Sequence, residues 1–213
     1  MKTEDLIATL AAEPAPPPAA SLERRAGMGA VAGLAVTVVL FLAVLGPRAN
    51  LGAALSDPVV LAKTLMPLLL ALFAGALALR SARPAVPSGV PGRIVWLVPA
   101  AVGALFFWAL GATEAGQRLV AFLGHSTQVC IPAITVLSLP ILAGLIHAMR
   151  GGAPVHPARS GALAGLAAAG MAAAIYSLFC TEDSPLFYAV WYSVAIGVAT
   201  GIGAVVGRRF LRW

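Results

Sequence analysis

The residues of this chain best suited to chemistry are its two cysteines, Cys130 and Cys180. Cys130 opens one long apolar run and Cys180 closes the next, so two antiparallel helices would carry both sulfurs to one end although fifty residues separate them. Three outcomes are open for thiols so placed. They form a disulfide if their Cα atoms come within about 7 Å. With His125 from the preceding loop they bind a soft metal, since thiolate and imidazole suit zinc, cadmium or copper. Otherwise they are two buried, inert thiols. A membrane thiol oxidoreductase would need a second cysteine pair or a quinone site to relay electrons, and the chain has no Cys-x-x-Cys. No hydrolytic or nucleophilic constellation stands out either. The expectation is therefore a non-enzyme with no resident cofactor, at most a transient heavy-metal ion at the cysteine pair, in which Cys130 and Cys180 act as a redox-sensing switch.

The elements that must position these sulfurs are written in the composition. Hydrophobic residues make up 60% of the 213 and charged residues 10%, with a mean hydropathy of +0.93. A soluble domain could not hide that much apolar surface. The expected fold is an all-α integral membrane protein, a bundle of six transmembrane helices over Met28–Leu45, Val59–Leu79, Ile94–Ala112, Gln128–Met149, Gly161–Phe179 and Leu186–Val206. Each run approaches the roughly 20 residues that a helix needs to cross about 30 Å of hydrocarbon. The last two runs, joined only by Cys180-Thr-Glu-Asp-Ser-Pro185, must form an antiparallel hairpin. Eleven of the fourteen bases fall at one set of span ends: Lys2, Arg24, Arg25, Arg80, Arg83, Arg93, Arg150, Arg159, Arg208, Arg209 and Arg212. By the positive-inside rule these face the cytoplasm and both termini are cytoplasmic. The cysteines then lie at the outer face of a bacterial inner membrane, where oxidation is permitted. A pI near 10.2 is explained by this topology, so no direct nucleic-acid partner is expected, only the lipid bilayer and a protein. The acidic, Pro-rich start argues against a cleavable signal peptide.

Four segments follow. Residues 1–12 form a short amphipathic helix with Thr3 as N-cap, Glu4 and Asp5 in its first turn, and Leu6, Ile7 and Leu10 on one face. Too short to be stable alone, it is either a frayed tail or a docking helix. Residues 13–27, rich in proline, are a tether; residues 28–207 are the six-helix transmembrane domain; residues 208–213 are a basic cytoplasmic tail. Gln117–Gly124 is expected as a brief interfacial helix under span three. Glycines four apart (29 and 33, 161 and 165, 197 and 201, 203 and 207) allow close helix packing, and Pro67, Pro99, Pro132 and Pro140 should kink spans two, three and four. Lys63 is expected to snorkel to the interface. Without a mid-span carboxylate, the alternative of a small-solute transporter or channel is the weaker reading.

The opening MKTEDLIATLA, six spans of this polarity, a cysteine at the start of span four, Cys180-Thr-Glu-Asp-Ser-Pro-Leu-Phe-Tyr before Trp191-Tyr192, and the ending Gly207-Arg-Arg-Phe-Leu-Arg-Trp resemble the NrsF-type membrane anti-sigma factors. The resemblance implies an inner-membrane protein that sequesters an extracytoplasmic-function sigma factor until stress arrives. It also implies that Leu6, Ile7 and Leu10 contribute to sigma-factor binding and that Cys130 and Cys180 take part in sensing, with release on a redox or heavy-metal stimulus.

Overall fold

The computed structural model describes residues 2–12, 21–84 and 86–212, all of the regular structure among them being helical. Ten helices follow in order: α1 Thr3–Ala12, α2 Leu22–Val44, α3 Leu51–Leu55, α4 Pro58–Ser81, α5 Gly89–Ile94, α6 Leu97–Ala112, α7 Arg118–Leu123, α8 Thr127–Met149, α9 Pro157–Tyr176 and α10 Pro185–Phe210. Six segments are long and apolar enough to cross a membrane, as expected: α2, α4, α5 with α6, α7 with α8, α9 and α10. Their ends differ from the sequence reading. Leu22–Gly27 of the expected tether is already helix, with the Ser21 hydroxyl accepting from the Arg24 N–H at its start, and residues 13–20 of that tether lie outside the described residues. The expected tail begins inside α10, which runs on to Phe210. Span five ends three residues early, at Tyr176, which leaves Cys180 in the connection rather than on the helix.

Helix α9 is the axis. It packs against α10, α4 and α8, while α2 lies against α8 and α6 against α10 and α4. A helix wrapped on several sides must be thin, and α9 reads PARSGALAGLAAAGMAAAIY for that reason. A Cβ on Gly165 would stand 2.7 Å from the Ala199 carbonyl oxygen, one on Gly170 2.6 Å from that of Pro67, and one on Gly207 2.5 Å from the Gly161 Cα. Dispersion between such closely approaching backbones drives helix association where no hydrophobic difference exists between side chain and lipid. The α2–α8 pair uses the same device: a Cβ on Gly33 would stand 2.5 Å from the Pro140 carbonyl oxygen, and Gly29 meets Gly144, a partner the four-residue spacing did not reveal. Gly197 and Gly201, also four apart, face open space, so that spacing is not an interface.

Three of the four prolines lie beyond the first turn of their helices, Pro67 in α4 and Pro132 and Pro140 in α8. Pro99 is the third residue of α6, in the first turn, where a missing N–H breaks no helical hydrogen bond and no kink is required. Next to Pro140, the Leu137 carbonyl accepts a hydrogen bond from the Thr37 hydroxyl at 2.9 Å, a buried link between α2 and α8. The helices alternate in direction, which gathers the arginine-bearing connections at one end: Glu23 of α2 pairs with Arg83 after α4, and Ala153 after α8 donates to the Ala82 carbonyl at 2.9 Å. Both cysteines lie at the other.

Helix α1 starts one residue earlier than Thr3 implies. Lys2 caps it, and the Asp5 carboxylate accepts from the Lys2 N–H at 3.4 Å, half of a capping box. Ile7 is 61% exposed; the side chains of Leu6 and Leu10 lie outside what is described. A short helix is present at the expected place, as α7, and it packs on α10: the Trp191 Nε1–H donates to the Phe122 carbonyl at 2.8 Å, and their rings lie 5.7 Å apart.

Candidate functional site

The connection between α9 and α10 looked like a plain turn whose acids report topology. It is instead the most heavily tied loop of the molecule. Lys63 is the reason, and the expectation that it snorkels is wrong. On α4 the buried residues Val60, Lys63, Pro67, Ala71, Ala74 and Ala78 form one stripe at helical spacing, so Lys63 points at the bundle interior and is 1% exposed. Its ammonium donates to the Cys180 carbonyl at 2.7 Å, the Glu182 carbonyl at 3.1 Å and Asp183 Oδ1 at 2.8 Å. An ammonium has three protons, and all three are used.

Arg48, in the connection after α2, grips the same loop. Its Nη1 and Nη2 meet Asp183 Oδ1 and Oδ2, both at 2.9 Å, a bidentate pair. Nη1 also reaches the Cys180 carbonyl at 3.3 Å, and the Arg48 N–H donates to the Leu178 carbonyl at 3.0 Å. Two cations thus sit where α9 ends, at the negative pole of its dipole. Burial alone would raise the Asp183 carboxyl; hydrogen bonds from Arg48 and Lys63 outweigh it and hold the group below the usual carboxylate range. Hydrogen bonding to Asp183 in turn raises Arg48.

A third element joins from the far side. Glu182 Oε1 accepts the His125 backbone N–H at 2.7 Å and lies 3.6 Å from its Nδ1. Gly124, at φ +55°, lets this loop press on α10, since a Cβ there would stand 2.5 Å from the Phe187 ring. The Cys180–Pro185 loop is therefore held by the α2–α3 connection, by α4 and by the α7–α8 connection together.

Beneath this latch lie the thiols. Cys130, in the first turn of α8, and Cys180 are free, 0% and 1% exposed. They share one core cluster with Ile134, Tyr176, Phe187, Tyr188 and Tyr192. The Tyr176 hydroxyl lies beside both sulfurs and that of Tyr192 beside Cys180. Both hydroxyls are buried without a hydrogen-bond partner among the described residues. The two sulfurs are thus neighbours in one packed pocket, with the two tyrosine hydroxyls as the polar groups beside them.

The expected trio for a metal does not assemble. The His125 side chain is 89% exposed, its Nδ1 3.6 Å from Glu182 Oε1, while both thiols are sealed from solvent. Among the described residues no group of three or more His, Cys, Asp and Glu could hold a metal ion. Reading the sequence missed Lys63, Arg48 and Asp183 as a unit. Their one trace was that Lys63 is the lone lysine inside an apolar run and that Arg48 breaks the charge bias of its end.

Residues 10–213 match the family model described as negative regulator of sigma F, NrsF. The chain is 39% identical to the anti-sigma-F factor NrsF of Caulobacter vibrioides over 225 aligned residues, and 35% identical to a probable anti-sigma-F factor NrsF of Azospira oryzae over 222, each covering 100% of both chains. No solved structure matches. With likeness running the length of the chain and six apolar helices beneath it, this chain belongs to the NrsF family of negative regulators of sigma F.

Proposed function

We propose that the chain is a membrane-bound anti-sigma factor that crosses the bacterial inner membrane six times, with both termini and the arginine end in the cytoplasm. It retains a sigma factor, as its relatives are named for doing, one of the extracytoplasmic-function type, and lets it go when the cysteine end is perturbed. The observation that carries this reading is the full-length similarity to proteins named anti-sigma-F factors, joined to six helices long and apolar enough to cross a membrane. Helix α1 is the hook. Its described side chains are exposed, and Leu6, Ile7 and Leu10 on one face would fill a groove on the sigma factor as an amphipathic helix does. The basic inner face supplies electrostatic support against an acidic partner.

At the other end the trigger is Cys130 with Cys180. A two-electron oxidant such as a peroxide would take two electrons as the thiols lose two protons and the sulfurs join; a soft metal would instead bridge two thiolates. Either event changes the packing of α8 against the start of α10, and both helices run to the arginine end. Going from mostly bound to mostly free needs a bias of about 5.5 kcal/mol between two states. Deleting residues 1–12 should abolish retention of the sigma factor by membranes while the deleted chain still inserts. If the deleted chain retains the sigma factor, α1 is not the hook.

A further inference from the structure

Between α4, α6, α9 and α10 lies a cavity of about 710 Å³ that the established family does not account for. It exists because α6 packs loosely, with Val98 and Ala109 its only buried residues. From Lys63 to Leu77 along α4 the groove runs about 21 Å, at roughly 1.5 Å per residue, lined by side chains such as Met66, Leu70, Val102, Phe106 and Leu166. Its two charged neighbours are Lys63 at one end and Arg159 at the other. Lys63 has spent its three protons on the latch, so the available charge lies only at the arginine end.

There a second cavity of about 290 Å³ adjoins the first, sharing Leu77, Ser88, Arg159 and Leu163 and adding Arg80, Arg83 and His156. No acid lines either cavity. Arg83 is engaged by Glu23, which leaves Arg80 and Arg159 to a ligand. Arg80 is held in place: Nη1 donates to the Pro87 carbonyl at 3.2 Å, and Gly89, at φ +60°, makes room where a Cβ would stand 2.5 Å from it.

An apolar groove open to a basic recess fits a molecule with one anionic head and a long hydrocarbon chain. The lining is apolar along its length and basic at one end only, which suits an amphiphile with a single polar head better than a helix with charges along it. We propose that this chain holds an anionic glycerophospholipid here, its phosphate head against Arg80 and Arg159 and an acyl chain along α4, α6 and α10. The proposal rests on the membrane reading above, which puts this recess at the cytoplasmic leaflet, where basic pockets between helices take such heads.

The test is native mass spectrometry of the full chain in a neutral detergent, offered phosphatidylglycerol and phosphatidylcholine of identical acyl chains. Phosphatidylglycerol should be retained about thirtyfold better, and Arg80→Gln or Arg159→Gln should each weaken its retention about fivefold. Gly103→Leu, at a groove position where a Cβ meets nothing within 4 Å, should displace both lipids while the thermal midpoint stays that of the wild type. Inorganic phosphate should not compete. Equal retention of the two lipids, retention of phosphatidylglycerol by Gly103→Leu, or its displacement by millimolar phosphate would each overturn the proposal. Sigma-factor retention is a separate readout: a chain that keeps the lipid but binds no sigma factor refutes the function and spares this site.

Discussion

Replacing Lys63 by Met removes one ammonium from the latch and leaves a side chain of similar length in the same slot. The carbonyls of Cys180 and Glu182 lose a charged donor, and Asp183 keeps only Arg48. Removing one member of a buried ion pair costs about 3–5 kcal/mol. Asp183 is 32% exposed and keeps a bidentate partner, so the lower bound, about 3 kcal/mol, is the appropriate figure. If the loop opens as a local unit, that is about a 150-fold larger open population. The assay is the rate of maleimide labelling of Cys180 in membranes, with Cys130 replaced by Ser, under conditions where reclosing outpaces labelling. Lys63→Met should label about 150-fold faster, and adding Asp183→Leu should raise the rate further, because it leaves the Arg48 guanidinium, whose side chain is 7% exposed, without its carboxylate partner. A rate within about threefold of the parent would refute the view that these three bonds keep Cys180 covered.

The remaining predictions use the same geometry. Asp183 has a folded pKa below its unfolded one, so its contribution is complete above about pH 4 and is lost as pH falls through the lower, folded value; Cys180 labelling divided by that of a free thiol at the same pH, which removes the thiolate's own pH dependence, should stay flat through neutral pH and rise only in acid, and Asp183→Asn should remove that rise. Gly161→Ala pushes a methyl group into the Gly203 and Gly207 backbone and should cost about 1–3 kcal/mol, seen as a lower thermal midpoint in detergent, whereas Gly197→Ala, facing open space, should be neutral or slightly stabilising. Deleting residues 1–12 should leave that midpoint unchanged, as expected of a helix whose described side chains are exposed; a lower midpoint would mean that α1 helps hold the bundle together.

Sequence alone determined the number of apolar helices, their alternation, the final hairpin and the common end of the two cysteines. Those follow from run length, charge bias and the shortness of a six-residue turn, all of which are local. It also placed α7, because QRLVAFLG carries its own apolar periodicity. Tertiary structure decided everything that depends on which face of a helix meets which neighbour. Lys63 is buried rather than snorkelling because its stripe on α4 is the one pressed against α9. Gly29 and Gly33 are contacts while Gly197 and Gly201 are not, though their spacing is identical, because helical periodicity fixes that two residues share a face but not whether that face is covered. His125 stands apart from the thiols for the same kind of reason: its backbone and ring nitrogen both lie against Glu182, fifty-seven residues away, with the ring exposed, and no local pattern encodes that contact.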